Sequence, residues 1–273
     1  MRFYEDEALL LSELGLSAER INGELQRRGV NMSLSVSYET QSTSLDARRY
    51  YEETGRSGAL FVADGQTEGR GRRGRSFVSA HGVGIYMSIL VRPEGAMQSL
   101  TAITTMTAVA VCRAIERVTG LHAEIKWVND IFYKGKKLGG ILTEGVLSAD
   151  MKTAEYVIVG IGLNVLSTEL PDEIRDIAIS LEAATGRKYD RGLLVAEITA
   201  EFMSALSRLG SSDIIEEYRR RSFLVGREIT VHKLNSSYPA RVLGIGDDIS
   251  LRIRLADGSV ESLITGEVSV REK

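Results

Sequence analysis

The spacing of apolar residues predicts short helices near the N-terminus, followed by a strand, a helix and a buried strand. Residues 5–28 have apolar positions near the helical period and are predicted to form one or two short helices, the second capped by Ser17. From Leu34 the sequence LSVSYET alternates apolar and polar residues, which is typical of a strand. A helix-compatible stretch follows at about 44–54, and the apolar run ALFVAD at 59–64 predicts a buried strand.

The middle of the chain continues this mixture of strands and helices. GVGIYMSILVRP at 82–93 predicts a strand, and residues 100–118 predict a long helix that is apolar nearly all round. Further helical segments are predicted from about 173 to 183 and from 190 to 221. Strand, loop and buried helix together indicate an α/β or α+β core.

Two more strand-like stretches lie between the long helix and the later helical segments. They are EIKWVNDIFYKGKKLGGILTEG at 124–145 and YVIVGIGLNV at 156–165. Gly135 lies between two apolar-rich runs of the first stretch, so YKGKK predicts a hairpin turn there.

The pattern changes at Gly226 to a series of short strands. REITVHKL, PARVLGI, ISLRIRL and VESLITG each have strand character, and Asp257 with Gly258 predicts a tight turn between the last two. The chain is therefore predicted to contain two domains, at 1–225 and 226–273. We expect the second to be a small barrel or sandwich packed closely on the first, because no long linker separates them.

Composition narrows the classes of protein that need to be considered. The 273 residues include 34 Lys and Arg against 37 Asp and Glu, a formal net charge of −3, so a protein that coats nucleic acid or anionic lipid is disfavoured. A single cysteine, Cys112, excludes an internal disulfide and fits a reducing compartment. The N-terminus is acidic where a signal peptide is basic, and no apolar run reaches the roughly 18 residues of a membrane span. We expect a soluble, cytoplasmic protein without a membrane partner.

Positive charge is concentrated in one glycine-rich loop, GQTEGRGRRGRSF at 65–77, which contains Arg70, Arg72, Arg73 and Arg75. Glycine allows backbone N–H groups to approach an anion, and arginine donates to carboxylate or phosphate. The run is neither a Walker loop nor a dinucleotide fingerprint, because no Gly-Lys-Ser/Thr ends it and no helix is predicted after it. A solvated surface, a nucleic-acid contact and a site for a small anion all remain open from this loop alone.

A second polar constellation follows in the predicted hairpin. KWVND places Lys126, Asn129 and Asp130 on one predicted strand, and KKLGG places Lys137 and the pair Gly139-Gly140 on the other. Charged groups are costly to bury unless they are paired or bind a ligand. An exposed hairpin with solubilising charges is the alternative, and it is less favoured when the arginine loop is considered together with it.

Taken in order, GRGRRGR at 69–75, KWVNDI at 126–131, KKLGGIL at 136–142 and GIGLNV at 160–165 resemble the successive motifs of the biotin protein ligases. The C-terminal GREITV…ADGSVESLITGEVSVR is similar to the small SH3-like barrel of that family, so the resemblance extends from about Leu34 to the C-terminus. It implies an α+β fold: a catalytic domain at 1–225 like that of class II aminoacyl-tRNA synthetases, with a mixed or antiparallel sheet flanked by helices. Residues 1–33 are then a short helical extension, and 226–273 the SH3-like domain.

The resemblance also implies an activity. Biotin protein ligases use ATP, with Mg²⁺, to convert biotin to biotinyl-5′-adenylate and then biotinylate one lysine of the biotin carboxyl carrier domain of a carboxylase. Magnesium is expected to arrive with ATP, so no protein metal ligands are predicted. Homodimers are common among relatives, and the resemblance leaves the oligomeric state of this chain open, with a homodimer as one alternative. Only about 33 residues precede the catalytic domain, too few for a winged helix, so we expect a monofunctional enzyme that binds no DNA. A lipoate protein ligase and a biotin-sensing repressor are the rival interpretations.

Site residues follow from the same resemblance. The predicted catalytic residues are Lys137, which neutralises charge in the transition state, Arg72 near the carboxylate and α-phosphate, and Asp130, which receives or orients a proton or is purely structural. The predicted biotin-binding residues are Ser42, Thr43, Ser44, Gln66, Gly69, Arg70, Gly71, Arg72, Lys137, Gly139 and Gly140. The predicted nucleotide-binding residues are Arg72, Arg75, Lys126, Asn129, Lys137 and Asn164. Ser44 stands where the family usually has asparagine, and Val128 where it commonly has proline, a change that suits a strand.

Overall fold

A computed structural model describes residues 10–11, 15–93, 100–147, 154–168, 171–233, 236–264 and 266–270. The predicted N-terminal helical region is described only in part, and its residues before 10 and at 12–14 lie outside these ranges. Helix α1 (Ala18–Arg27) begins as predicted, because the Ser17 hydroxyl accepts a hydrogen bond from the amide of Arg20 at 3.3 Å.

The larger sheet has seven strands within the described part of the chain. In chain order they are β1 (Ser33–Thr40), β2 (Ala59–Gln66), β3 (Gly84–Val91), β4 (Glu124–Lys126), β5 (Asp130–Tyr133), β6 (Lys136–Leu147) and β7 (Ala154–Asn164). Their spatial order is β1-β2-β3-β7-β6-β5-β4. Strands β1 and β2 are parallel, joined by helix α2 (Thr43–Thr54), and the other neighbours are antiparallel. The mixed sheet and its helices confirm the predicted α+β class.

Helices cover both faces of this sheet. Successive side chains of a strand point to opposite faces. Leu60 and Ile89 accordingly pack in the main core with α1, α3 (Leu100–Thr119) and α6 (Arg191–Leu206), whereas Phe61 and Leu90 pack with Tyr51 of α2. The central strands are buried on both sides, which explains the continuous apolar runs in the sequence.

The later helical predictions are correct in place but divide into shorter helices. The region predicted at 173–183 contains α4 (Asp172–Arg175) and α5 (Leu181–Thr185), and the region predicted at 190–221 contains α6 and α7 (Ser212–Arg221). Gly210, at φ +84°, lies in the turn between α6 and α7, a conformation that glycine adopts without strain.

The prediction that Lys126, Asn129 and Asp130 share one strand is wrong. Strand β4 ends at Lys126, and the chain turns before β5 begins at Asp130. The turn is held by reciprocal backbone and side-chain contacts, because Ile141 donates its N–H to the Asn129 carbonyl at 2.9 Å and the Asn129 amide donates to the Ile141 carbonyl at 2.9 Å. Val128 therefore lies in a turn, not in a strand, and it is buried there.

The predicted hairpin turn itself is confirmed. Strands β5 and β6 are joined at Lys134 and Gly135, and Gly135 has φ +80°, in the left-handed region that favours glycine. Lys137 and Gly140 thus lie on a strand adjacent to Asp130, whose register partner is Gly140.

The C-terminal part forms a second sheet from β8 (Glu228–Lys233), β9 (Ser236–Ile245), β10 (Leu251–Arg254), β11 (Val260–Leu263) and β12 (Glu267–Val270). The strands are antiparallel in the order β11-β10-β9-β8-β12, which is consistent with the predicted SH3-like domain. The predicted turn at Asp257 and Gly258 is confirmed, with Gly258 at φ +87°. The boundary predicted at 225/226 falls between α7 and β8 and stays a prediction.

Side-chain hydrogen bonds fasten the C-terminal part to the part that contains the larger sheet. The indole of Trp127 donates to the carbonyl of Ile249 at 2.9 Å, and the guanidinium of Arg219 donates to the carbonyl of Ile245 at 2.9 Å. Trp127 lies in the turn between β4 and β5, so the second sheet is held directly beside that turn. No helix in the described ranges has both the length and the apolar character that crossing a membrane requires.

Candidate active site

A cavity of about 190 Å³ opens between the arginine loop, strands β6 and β7, the N-terminal end of α2 and strand β12. Thirteen of the predicted site residues line it: Ser42, Thr43, Ser44, Gln66, Arg70, Gly71, Arg72, Arg75, Lys126, Asn129, Asp130, Lys137 and Gly140. Gly69, Gly139 and Asn164 do not line it. The structure therefore brings together motifs that are far apart in the sequence.

The charge of the lining is strongly one-sided. Among the described residues it includes six cationic side chains and one carboxylate, that of Asp130; the cations are Arg70, Arg72, Arg73, Arg75, Lys126 and Lys137. Arginine and lysine cations gathered in one concave site attract an anionic ligand and stabilise negative charge that develops there. Among the interpretations that the arginine loop left open, this arrangement favours a small-anion site.

The arginine loop is closed by its own backbone. The amide of Phe77 donates to the carbonyl of Gly69 at 2.9 Å, and the amide of Gly71 donates to the carbonyl of Arg75 at 2.7 Å. A side chain at position 69 would place its Cβ 2.4 Å from the Phe77 carbonyl oxygen, so only glycine fits there. Gly69 thus shapes the loop without facing the cavity.

Arg72 is oriented by the turn that follows β4. Its guanidinium donates to Oδ1 of Asn129 at 3.1 Å, while the amide nitrogen of Asn129 is engaged with strand β6. The turn is further supported by Tyr218, whose hydroxyl donates to the carbonyl of Val128 at 3.1 Å, and complete burial raises the pKa of Tyr218 well above its ordinary value. Asn129 is therefore placed to position Arg72 as well as to contact a ligand.

Lys137 and Asp130 form an ion pair inside the cavity. Lys137 Nζ lies 2.7 Å from Asp130 Oδ1, and both side chains are partly exposed. Gly140 lies beside this pair: a Cβ there would stand 3.3 Å from Asp130 Oδ1 and 3.4 Å from Lys137 Nζ. At Gly139 a Cβ would stand 2.4 Å from the Gly162 carbonyl oxygen, so this glycine is required by the packing of β6 on β7.

The backbone of Lys137 is held by a segment that joins α4 and α5. Lys137 donates its N–H to the Ile177 carbonyl at 2.7 Å, and Ile179 donates to the Lys137 carbonyl at 2.9 Å. The amide of Asn164 lies within 3.5 Å of the Lys137 carbonyl and 3.3 Å of the Ile179 carbonyl. Asn164 thus braces the strand of Lys137, and its predicted contact with a nucleotide stays a prediction.

Hydroxyl groups line another part of the cavity. Ser42 occupies the N-cap position of α2, but its side chain makes no capping hydrogen bond, so its hydroxyl group is not used to cap the helix. Oε1 of Gln66 accepts from the amide of Thr43 at 3.0 Å and from its hydroxyl at 3.3 Å. Ser44 and Thr43 are buried and face the cavity.

The strand register relates the two polar parts of the site. Gly160 lies against Ser44, and its partner on β6 is Leu142; Gly140 lies against the Lys137–Asp130 pair, and its partner on β7 is Gly162. Two residues of a strand span about 7 Å. The hydroxyl groups and the Lys137–Asp130 ion pair therefore lie at different positions along the sheet, so an elongated ligand can contact both.

Several lining residues were not predicted. They are mainly apolar residues and glycines: Phe77, Met87, Trp127, Ile141, Leu142, Gly160, Ile161, Gly162 and Val268. Phe77 packs on Gly162, where a Cβ would stand 2.7 Å from its ring. The alternation of glycine in GIGLNV was the available signal for Gly160 and Gly162, because alternate strand residues share a face. Nothing in the local sequence indicates that β12 reaches the site.

Comparison with known proteins agrees with this geometry. A family model described as "Biotin/lipoate A/B protein ligase family" matches residues 36–164. The bifunctional ligase/repressor BirA of Bacillus subtilis is 36% identical over 222 residues, which cover 80% of this chain and 68% of that protein. The biotin--[acetyl-CoA-carboxylase] ligase of Mycobacterium tuberculosis is 28% identical, covering 81% of this chain and 82% of that protein.

A solved structure supports the same relationship. The biotin protein ligase from Aquifex aeolicus, in complex with biotin and ATP, superposes with a TM-score of 0.76 at 29% identity, covering 88% of this chain and 99% of that chain. The likeness covers most of both chains and is not confined to the matched motifs. The chain therefore belongs to the biotin/lipoate A/B protein ligase family, among its biotin protein ligases.

Proposed function

We propose that this chain is an ATP-dependent biotin protein ligase that forms biotinyl-5′-adenylate and transfers the biotinyl group to one lysine of a biotin carboxyl carrier domain. The observation that carries the proposal is the cavity lining, in which six cations and one carboxylate stand beside hydroxyl groups and apolar side chains. Biotin has a neutral ureido ring, an apolar tail and a carboxylate, so the two kinds of lining match the two ends of this substrate.

The first step joins two anionic groups. A carboxylate oxygen of biotin attacks the α-phosphorus of ATP, a new O–P bond forms, and the bond to the β-phosphate oxygen breaks to release pyrophosphate. Lys137 and Arg72 are proposed to neutralise the negative charge that gathers on the α-phosphate oxygens, since fixed cations directed at developing charge lower the barrier. The ion pair with Asp130, at 2.7 Å, holds the Lys137 ammonium in place before the substrates bind.

The remaining cations are proposed to bind the polyphosphate. Arg75 and Lys126 line the same cavity, and Lys126 Nζ also lies 5.5 Å from the centroid of the Phe132 ring. That contact is within the range of a cation–π interaction and restricts the position of the ammonium. Asn129 and Asn164 are proposed as nucleotide contacts in addition to their bonds to the protein backbone.

Biotin is proposed to bind with its ureido ring at the hydroxyl groups. Ser42, Thr43, Ser44 and Gln66 supply the polar groups there, and Arg70, Gly71 and Gly140 line the path to the carboxylate. Phe77 and Trp127 add aromatic surface that excludes water from the apolar tail. Gly69 and Gly139 are proposed to act through the backbone geometry that they permit.

The second step transfers the biotinyl group. The amine of the carrier lysine attacks the biotinyl carbonyl carbon, a C–N bond forms, and the C–O bond to AMP breaks, with AMP leaving on the phosphate oxygen. The attacking nitrogen must lose a proton, and Asp130 is the only carboxylate among the described lining residues. We therefore propose Asp130 as the group that receives this proton, once substrates have drawn Lys137 away from it.

Magnesium is proposed to enter as the companion of ATP. Over the ranges that the structure describes, no cluster of three or more His, Cys, Asp or Glu is suited to a metal ion. Asp130 is already paired with Lys137. This donor set fits a cation held mainly by phosphate oxygens and water.

The partners and location are proposed from the composition of the chain and from the names of its relatives. The carrier is proposed to belong to a biotin-dependent carboxylase, in line with the name of the Mycobacterium tuberculosis relative. The net charge of −3 disfavours operator binding, so we propose a ligase without repressor activity, and retardation of DNA at physiological salt tests this. The single cysteine fits a cytoplasmic location. We propose a homodimer as one state of the chain, and sedimentation measurements test for it.

The deciding experiment is mass spectrometry of a biotin carboxyl carrier domain incubated with the protein, biotin and Mg-ATP. We expect a single biotinyl mass gain that requires ATP and the carrier lysine. A parallel reaction with lipoate and a lipoyl carrier domain separates the two substrates of the wider family. Transfer of lipoate without transfer of biotin would overturn the proposal.

A further inference from the structure

Ser88 lies directly behind the hydroxyl groups of the cavity. It is fully buried on β3 and is not a lining residue. Its Oγ lies 2.8 Å from the hydroxyl of Thr43 and 3.1 Å from the hydroxyl of Ser44, both of which face the cavity. A serine at this place in an otherwise apolar strand joins two substrate-facing side chains, and nothing in the proposed mechanism uses it.

The orientation of the Gln66 side chain determines where the hydroxyl proton of Thr43 points. The amide of Thr43 is an obligatory donor, so the atom of Gln66 that lies 3.0 Å from it is Oε1, an acceptor only. The opposite atom, Nε2, donates to Ser79 Oγ at 3.0 Å, which in turn donates to the Phe77 carbonyl. The hydroxyl of Thr43, 3.3 Å from Oε1, therefore donates its single proton to Gln66.

The other two proton directions follow. With the Thr43 proton assigned to Gln66, which can only accept, the 2.8 Å contact between Thr43 and Ser88 is assigned to the Ser88 proton. Ser88 then has no proton left, so the contact between Ser44 and Ser88 requires Ser44 to donate. The series of hydrogen bonds Ser44→Ser88→Thr43→Gln66 is the hydroxyl relay. In each of its bonds the donor is the residue farther from Gln66.

We infer that Ser88 is a positioning residue that fixes the hydroxyl oxygens of Thr43 and Ser44 as hydrogen-bond acceptors and so selects a ligand that presents N–H donors to them. The inference rests on the proposed function, in which the ureido ring of biotin occupies this part of the cavity. That ring carries two N–H donors. A ring of the same shape with an acceptor in their place meets two oxygens that have no proton to offer.

The serine at position 44 is part of this arrangement. An asparagine there would present an amide with two protons, whereas Ser44 has one proton and uses it on Ser88. Gly160 leaves the room for the contact, since a Cβ at that position would stand 3.1 Å from Ser44 Oγ. With its proton used on Ser88, Ser44 presents only an acceptor to the cavity, whereas an asparagine would present an acceptor and donors.

The test compares biotin with isosteric analogues in which one ureido N–H is replaced by a ring oxygen, one analogue for each nitrogen. Binding of each compound to the full chain is measured by calorimetry, for the wild type and for Ser88→Ala. We expect the wild type to prefer biotin over at least one analogue by about 10- to 100-fold, because a buried acceptor is left facing an acceptor. In Ser88→Ala the hydroxyl of Ser44 loses the acceptor of its proton and is free to donate to the ligand, so we expect that preference to fall by about tenfold.

Two further variants distinguish the effect of the hydroxyl relay on ligand preference from an effect of lost packing. Ser88→Cys keeps a side chain of similar shape with a weaker donor, and an intermediate preference is expected. Thr107→Val removes a fully buried hydroxyl of α3 that donates to Ile103 at 2.7 Å, away from the cavity, and it should leave the preference unchanged. Thermal unfolding of each variant verifies that the fold is retained.

An unchanged preference in folded Ser88→Ala would overturn the inference. Failure of the proposed function is visible separately: a wild type that binds biotin with the expected preference but forms no adenylate with Mg-ATP contradicts the ligase and leaves the relay standing. A wild type that binds no biotin overturns both.

Discussion

Lys137 Nζ and Asp130 Oδ1 are 2.7 Å apart across adjacent strands, and among the described lining residues of the cavity the other charged side chains are all cations. The contact brings the motif KKLGG against the motif KWVND. One member of the pair is suited to stabilise negative charge and the other to accept a proton, so substitution of each should affect a different step.

Replacing Lys137 should impair the first step. We expect Lys137→Ala to slow biotin-dependent pyrophosphate release by about 10²- to 10³-fold, the usual cost of one preorganised electrostatic donor. Lys136→Ala is the matched control, because Lys136 is exposed at the neighbouring position of the same hairpin. Wild-type adenylation by Lys137→Ala would refute the role given to this lysine.

Replacing Asp130 should act mainly on the second step. Asp130→Asn keeps the shape of the side chain but cannot take the proton from the carrier amine. We expect transfer from supplied biotinyl-5′-adenylate to fall by at least about 10²-fold, with a smaller loss in adenylation, as for removal of a general base. Single-turnover transfer at several pH values measures this. If transfer is normal and only adenylation is slowed, Asp130 serves to hold Lys137 and does not accept the proton.

A methyl group beside the ion pair should disturb the site without disturbing the fold. In Gly140→Ala the new Cβ stands 3.3 Å from Asp130 Oδ1 and 3.4 Å from Lys137 Nζ, so the pair must shift by a few tenths of an ångström. We expect adenylation to fall by about tenfold, since small misplacements of reacting groups are costly. Gly244→Ala on β9 is the control, because nothing lies within 4 Å of its Cβ. Equal activities of the two variants would show that the pair tolerates displacement.

Buried strands and helices of the fold could be predicted from the sequence, whereas the turn between β4 and β5 could not. Runs such as ALFVAD and the helix at 100–118 were recognisable because burial on all sides leaves an unbroken apolar pattern. The placement of Lys126 and Asp130 on one strand failed because the intervening turn depends on hydrogen bonds between Asn129 and Ile141, which are 12 residues apart. Local propensity contains no information about such a contact.

Within the site, the charged and glycine-rich motifs could be recognised from the sequence. The residues that position them or complete the cavity could not. The arginines of the loop and Lys137 are unusual in their sequence context, whereas Ser88 is one serine among many. Val268 reaches the cavity only because the second sheet is anchored through Trp127 and Ile249. Residues that act through tertiary contacts cannot be recognised from the spacing of residue types along the sequence.

An ion-pair network between α3 and α7 should make stability depend on pH. Burial alone would raise the pKa of Glu217, but hydrogen bonds from Arg113 at 2.6 Å and Arg221 at 2.9 Å outweigh it and hold the pKa below its ordinary value of 4.5. A carboxyl group whose pKa is lowered by folding stabilises the fold above the unfolded-state pKa, and this contribution is lost as the pH falls through the folded-state pKa.

Urea unfolding between about pH 7 and about pH 3.5 tests this dependence. We expect Glu217→Gln to be less stable than the wild type at neutral pH and to lose less free energy of unfolding on acidification. Glu52→Gln, at an exposed position of α2, should reproduce the wild-type profile. A Glu217→Gln profile parallel to that of the wild type would assign the pH dependence to other carboxyl groups.

The arginine loop should become more ordered when an anionic ligand occupies the cavity. Arg70, Arg73 and Arg75 are exposed and Arg72 is half-buried, so each is a site for trypsin. Their mutual repulsion is relieved when a carboxylate or phosphate lies among them. We expect biotin with ATP to slow cleavage after these arginines by at least about tenfold, while cleavage after Arg56, exposed beyond the end of α2, continues at the same rate. Protection at Arg56 as well would mean that the ligand stabilises the whole fold, and equal loop cleavage with and without ligand would mean that these arginines do not bind it.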